Sequence, residues 1–493
     1  VTTIVWFRRD LRLHDNPALF EAALRGPVLP VYIHAPEEEN PWAPGAASRW
    51  WLHHSLCALQ DGLRELGLPL IIRQGDSLSQ LRQLAAASSA RAVAWNRLYE
   101  PTTIPRDTRV KEALRSDGLE VHSHPGWFLH EPHRVRNKQG TPFKVFTPFW
   151  RHLQTLDEPP EPLPAPPALS APDLLPDTDT LDSLALLPRI KWDAGFRHWW
   201  TPGERASRAR LTHFLHEIAA DYGEWRNRPD LDGTSRLSAP LHFGEISPRD
   251  AWHQSRRAME NASTKARAGI QSFLREVGWR EFSGHLLFHF PETAHAPLRP
   301  EFERFPWRRD QRLLNAWQRG QTGYPIVDAG MRQLWSTGWM HNRVRMIVAS
   351  FLVKHLLHSW NDGAAWFWDT LVDADLGNNT MGWQWSGGCG ADAAPYFRIF
   401  NPVTQGEKFD PKGVYTRQWV PEVAGLPGKF LFAPWEAPAN TLASAGVRLG
   451  ETYPRPVVDH REGREAALAA FQTIRASKSS EDEQGDILVN DSP

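Results

Sequence analysis

Four short stretches hold side chains whose types and spacing could do chemistry. In REVGWREFSG, Glu276, Trp279, Arg280 and Ser283 recur at i, i+3, i+4 and i+7, the spacing that lines one face of a helix. A carboxylate, an indole plate and a guanidinium together can wall a pocket. A base stacks on the indole while the charged groups meet its polar edge and a phosphate. The same spacing also suits an ordinary solvated face. In STGWMHNRVRMIVASFLVKHLL, Asn342, Arg345 and Met346 share a face, and Val344, Val348, Phe351 and Leu352 lie toward the other. Alone, that pattern equally describes a buried polar residue. In DADLGNNTMGWQWSGG, Asp373 and Asp375 precede Asn378, Asn379, Trp383 and Trp385. Paired carboxylates suit a metal or acid–base catalysis, yet this stretch holds no further acid to complete a metal shell. In LDGTSRLSAPLHFGEIS, Thr234, Ser235 and Ser238 surround Arg236 ahead of a helical run. Such hydroxyls bind phosphate with helix-start N–H groups, or simply cap a helix.

The elements that position these residues fall into two styles. Residues 1–130 alternate strands, TIVWF (3–7), VLPVYIH (28–34), PLIIR (69–73) and AVAWN (92–96), with amphipathic runs such as WWLHHSLCALQDGLRELG. This is the pattern of an open, Rossmann-like parallel α/β sheet. No G-x-G-x-x-G follows the first strand and no P-loop occurs anywhere, so the usual phosphate cradles are absent. Residues 131–202 read as an interdomain linker, dense in proline from about 156 to 190. Residues 203–472 read as helical; Ile270, Phe273, Leu274 and Val277 form the apolar stripe of the helix that carries Glu276. The polar, acidic stretch 473–493 is predicted to be disordered.

Composition narrows the function classes. At 493 residues the chain exceeds one ordinary core, so two or more domains are predicted. The net charge of −1 means that any affinity for nucleic acid must come from a local basic patch. Two cysteines, Cys57 and Cys389, exclude a disulfide scaffold and any four-cysteine zinc or iron–sulfur site. They fit a reducing cytoplasm, and neither a membrane span nor a secretory leader is read from the sequence. Tryptophan is the outlier, with 24 against 7 tyrosines, mostly after residue 190. Beyond packing, indole stacks on bases and gives up an electron to a strong oxidant.

Taken together, these stretches resemble the photolyase/cryptochrome family over nearly the whole chain. The resemblance is carried by WFRRDLRLHDNPAL, FKVFTPFWRHL, DGTSRLS, REVGWREF, TGYPIVDAGMRQLWSTGWMHNRVRM and DAAPYFRIFNPVTQGEKFDPKG, in the family's order. It implies an α/β domain able to hold an antenna pigment and an all-helical domain that binds FAD. By resemblance, Tyr222, Thr234, Ser235, Arg236, Leu237 and Ser238 hold the FAD phosphates, and Asn342, Arg345, Asp373, Asp375 and Asn379 flank the flavin. Asn379 takes the place beside flavin N5. Trp383, Trp360 and Trp307 correspond to an electron relay to the surface. Glu276, Trp279, Arg280, Asn342, Met346 and Trp385 correspond to the pocket for a flipped-out dimer, and Arg343 and Arg398 to contacts with the DNA backbone.

The resemblance implies light-driven splitting of cyclobutane pyrimidine dimers in UV-damaged DNA, a carbon–carbon lyase reaction by a monomer. The alternative within the family is a blue-light photoreceptor, a cryptochrome. Asn342 and Met346 stand where enzymes for 6–4 photoproducts carry histidines, and Asn379 where plant cryptochromes carry aspartate. EEENPWAPGAASRWWLHHSL and SAPLHFGEIS are similar to plant cryptochromes, while LGNNTMGWQW and GGCGADAAPYFRIF are similar to bacterial photolyases. That mixture resembles the class III photolyases. Methenyltetrahydrofolate is then the expected antenna, with a deazaflavin, another flavin or none as alternatives, and Glu100 is the candidate to hold a pterin ring.

Overall fold

The computed structural model describes residues 1–393 and 398–489, with side chains through residue 475. The chain divides into two compact units. The first comprises residues 1–224, 233–291 and 368–378; the second comprises 225–232, 292–367 and 379–493.

The first unit holds a five-stranded parallel sheet in the order β3-β2-β1-β4-β5. Its strands are β1 (Thr3–Phe7), β2 (Val28–His34), β3 (Ile71–Gln74), β4 (Ala92–Asn96) and β5 (Glu120–His124). β1 and β4 are buried throughout, as strands covered by helices on both faces must be. β5, EVHSH, is a polar edge strand that the hydrophobic pattern does not announce. The crossovers are α1 (Pro17–Arg25), α2 (Ala46–Glu65), α3 (Ser77–Ser88) and α4 (Thr103–Ser116). Their starts follow from capping chemistry: Asn16 accepts from Leu19 N–H ahead of Pro17, and Asp76 accepts from Ser79 N–H.

Part of the stretch read as linker is structured. Helix α5 (Phe146–Leu153) packs against α6 (Thr264–His289), so FKVFTPFWRHL contributes core rather than tether. Phe146, Phe149 and Leu153 are buried, and Trp150 lies so close to Gly278 that a Cβ there would come within 2.4 Å of its ring. α6 also belongs to the first unit, capped by Ser263 through Ala266 N–H.

The second unit is helical. α7 (Asn342–Ser350) starts where the His341 side chain accepts from Arg343 N–H, and a π-helical turn (Phe351–His355) follows it. Trp360 of α8 (Trp360–Thr370) and Trp383 and Trp385 of α9 (Leu376–Gly387) lie in the parts of these helices that belong to this unit. α10 (His460–Val489) extends into the stretch read as a disordered tail. Through Val489 that stretch has no proline and continues directly from the AALAAF run. Among the described residues, no helix is long and apolar enough to cross a membrane.

Candidate cofactor and substrate sites

In the first unit, the Thr234–Ser238 turn precedes a short helix (Ser238–His242). Arg210 donates to the carbonyls of Thr234 (2.8 Å) and Ser235 (3.0 Å), which fixes the turn from behind. Arg236 adopts a left-handed φ of 53° and lies over the rings of Trp199 and Trp200. The Thr234, Ser235 and Ser238 side chains stay at least partly exposed, while Leu237 and Tyr222 are buried. A turn of accessible hydroxyls with its carbonyls already engaged suits a phosphate.

Asp373 is buried, and Asp375 is enclosed in a network. Asp375 accepts from the N–H (2.9 Å) and side-chain amide (2.8 Å) of Asn378 and lies 3.3 Å from His242 Nδ1. Burial would raise this carboxyl, but His242, the Arg280 guanidinium and Asn378 outweigh it and hold Asp375 far below the usual carboxylate range. Asp375 is therefore a fixed negative charge.

α6 does not present its four residues as one polar face. Glu276 and Trp279 are half-buried, whereas Arg280 and Ser283 are buried. Arg280 donates to the Trp127 carbonyl (2.9 Å) and lies 5.0 Å over the Trp127 ring; Ser283 donates to Asn378 (2.8 Å). Arg280 is thus a bracing group of the first unit rather than an outward-facing cation. Its neighbour Glu281 accepts from Leu129 N–H (2.8 Å), and burial pushes that carboxyl up to about 7. Trp279 stacks on Phe146 with ring centroids 3.6 Å apart and planes 9° from parallel. One indole face is therefore held by α5. Phe146 was legible only as part of the family-like run FKVFTPFWRHL.

Glu100 is held by Arg9, whose Nη1 donates to Oε1 at 2.6 Å. It lines a small cavity with Tyr99, Trp127, Phe128, Arg280 and Asp375. A wider cavity opens at the carboxyl ends of β1 and β2, lined by Trp6, Arg8, Arg9, Tyr32, His34 and Trp42 among others.

In the second unit, α7 brings Asn342, Arg343, Arg345 and Met346 together. Asn342 is exposed. Arg343 donates to Asn227 (2.6 Å), lies 4.4 Å over the Phe409 ring and touches Met346 Sδ at 3.6 Å. Burial lowers the Arg343 guanidinium, and the charges of Arg226 and Arg398 add to the effect. Arg226, Arg343 and Arg398 therefore form a local basic cluster on a chain whose net charge is only −1. Arg345 donates to the Met340 carbonyl (2.7 Å).

Trp385 and Arg398 line one cavity with Ser350, Lys354, Ser386 and Phe400. Sequence reasoning missed Lys354, a buried lysine pushed down to about 7 by desolvation, whose Nζ donates to the Arg398 carbonyl.

Asn379 donates from its side-chain amide to the Ala364 carbonyl (3.0 Å), which orients it. Trp383 is 2% exposed and boxed in by Trp317 (6.0 Å, edge-on) and Phe367 (4.9 Å, edge-on). A Cβ on Gly363 would lie 2.0 Å from its ring, so only glycine permits this packing. Trp383 Nε1 is buried without a hydrogen-bond partner. Trp360 is equally buried, and Trp307 is half-buried against Phe305 (4.3 Å).

The first unit offers a hydroxyl turn and a fixed carboxylate, and the second offers oriented amides, guanidinium groups and enclosed indoles. The donor set fits FAD: hydroxyls for phosphates, amides and charges for a flavin ring. Residues 273–473 match the family model described as FAD binding domain of DNA photolyase, and residues 3–168 match that of DNA photolyase. The chain is 49% identical over 474 residues to deoxyribodipyrimidine photo-lyase of Agrobacterium fabrum, covering 96% of this chain and 98% of that one. It is 40% identical to cryptochrome-1 of Arabidopsis thaliana, covering 97% of this chain and 71% of that one. A crystal structure of a bacterial class III photolyase from Agrobacterium tumefaciens superimposes with a TM-score of 0.93 at 48% identity, covering 97% of this chain and 98% of that one. The chain belongs to the photolyase/cryptochrome family and binds FAD.

Proposed function

We propose that this chain is a class III-like photolyase that uses light to split cyclobutane pyrimidine dimers in DNA. The observation that carries this reading is Trp279, an indole half-exposed beside Glu276 with its other face stacked on Phe146. A structural core tryptophan would be enclosed on both sides, as Trp383 is. A braced plate with open surface suits a stacking base, worth about 1–3 kcal/mol.

Enzymes that act on a base inside a duplex take it out of the stack, which costs least at a damaged step. In this reading Trp279, Trp385 and Met346 offer the apolar contacts to the extruded dimer. Glu276 and Asn342 offer its polar contacts. Arg343 and Arg398, members of the basic cluster with Arg226, engage the backbone. Arg280 supports the wall from within by holding the Trp127 carbonyl.

Tyr222 and the Thr234–Ser238 turn are assigned to the cofactor's phosphates, and Asn342, Arg345, Asp373, Asp375 and Asn379 to its ring. When bound and reduced, FAD supplies on excitation the electron that opens the cyclobutane ring and then takes it back. Trp383, Trp360 and Trp307 are assigned to restoring the reduced state, since burial decreases from the first two to the half-exposed third. Glu100 remains the antenna residue of this proposal, and an absorption spectrum separates methenyltetrahydrofolate from a deazaflavin, a second flavin or no pigment. Cytoplasmic residence fits two free cysteines.

The test is binding to otherwise identical oligonucleotides carrying a cyclobutane dimer, a 6–4 photoproduct or no lesion. The cyclobutane duplex should bind far more tightly than the other two. Preference for the 6–4 lesion would overturn the reading of Asn342 and Met346. Equal affinity for all three would favour the photoreceptor.

A further inference from the structure

The cysteine count excludes four-cysteine metal sites but leaves mixed sites open, and α2 carries one arrangement of that kind. His53, His54 and Cys57 stand at i, i+1 and i+4 of this helix. Their ligand atoms all lie within 4.8 Å of one another. His54 Nε2 is shielded from solvent and has no hydrogen-bond partner. Its ring is held edge-on by Trp50 (4.5 Å) and His53 (5.0 Å), so the imidazole is oriented by packing alone. Cys57 is a free, half-buried thiol, reachable from solvent. None of these side chains belongs to the sites described above.

We propose that His53, His54 and Cys57 form a zinc site on α2. Two imidazoles and one thiolate are a borderline-soft donor set that suits a tetrahedral d10 ion, with a fourth position left for water or a carboxylate. Donor atoms this close need only side-chain rotation to reach zinc distances of roughly 2.0–2.3 Å. Three carboxylates act on the cluster. Asp182 acts on both His53 and Cys57, Asp61 on Cys57 and Asp193 on His54, with Arg197 as the opposing positive group. Binding exchanges the thiol S–H for a Zn–S bond and releases one proton to solvent.

The test is a zinc titration of chelator-treated, FAD-loaded full-length protein, with bound metal counted after desalting. One zinc per chain, bound at micromolar affinity or better, is expected. Cys57→Ser and His54→Gln should each weaken it by more than the roughly 10- to 100-fold typical of losing an outer-shell partner. Cys389→Ser should bind as the wild type does. Cobalt(II) gives a second reading on the wild-type fold: a thiolate-to-metal absorption band, absent in Cys57→Ser. Wild-type protein that retains no zinc, or zinc retained equally by Cys57→Ser, would overturn the proposal. So would a cobalt complex without the thiolate band.

Discussion

Trp279 in the first unit and Trp383 in the second are the same side chain in opposite settings. Trp279 lies on Phe146 with one face braced and remains half-exposed. Trp383 is closed in by Trp317, Phe367 and Gly363, with its N–H unsatisfied. An indole with open surface can gain stacking energy from a ligand. An enclosed indole has no surface to offer, yet its electron-rich ring remains oxidisable. On the proposed assignment, environment rather than residue type divides the tryptophans into a recognition group and an electron-supply group.

The largest effect that would break this division is expected from Trp360→Phe. Phenylalanine keeps an aromatic ring of similar shape, so the packing loss should be modest. It is much harder to oxidise, so photoreduction of oxidised FAD should slow many-fold. Repair with chemically pre-reduced flavin should stay near the wild-type rate. Unchanged photoreduction would place the relay elsewhere, and lost repair would make Trp360 structural.

Trp279→Ala should act in the opposite pattern. Losing a stacking plate of about 1–3 kcal/mol lowers dimer affinity roughly ten- to a hundredfold. FAD content and photoreduction should survive. Loss of FAD would show that Trp279 is core, and the contrast with Trp383 would fail.

A smaller effect tests the brace behind Trp279. His285 accepts from Phe143 N–H (3.0 Å), just ahead of α5, and burial with His289 beside it pushes the ring down to about 3. The folded chain therefore keeps His285 neutral while the unfolded chain takes up a proton below its ordinary value of about 6.5. Stability is lost as the pH falls through that window, by about 2 kcal/mol between roughly pH 7 and pH 5 from this residue. His285→Gln should flatten that acid loss in urea titrations and leave the relay untouched. An unaltered pH slope would remove His285 from the brace.

How far the sequence could be read follows the same contrast. The four hydrophobic strands and the Ile270–Val277 stripe were visible because continuous apolar runs and helical period record burial directly. Three features were not. β5 is polar because it lies at the sheet edge, and α5 was hidden in a stretch assigned to the linker. Arg280 and Ser283 share a spacing with Glu276 and Trp279, but α6 is packed on more than one side, so period alone could not separate exposed from bracing residues. The partners that orient the candidate site, His242 for Asp375, Phe146 for Trp279 and Asn227 for Arg343, are all distant in sequence. No local pattern encodes them.

The central claim, that light absorbed by the reduced flavoprotein is spent on breaking the dimer, is tested most directly by counting dimers. Protein with chemically reduced FAD is mixed with an oligonucleotide holding one cyclobutane thymine dimer, and intact thymines are quantified after blue light and after an equal time in darkness. The expected result is loss of the dimer in the light sample only, with many dimers split per protein. Dimers that survive illumination, in protein whose oxidised FAD still photoreduces, would contradict repair and leave a photoreceptor.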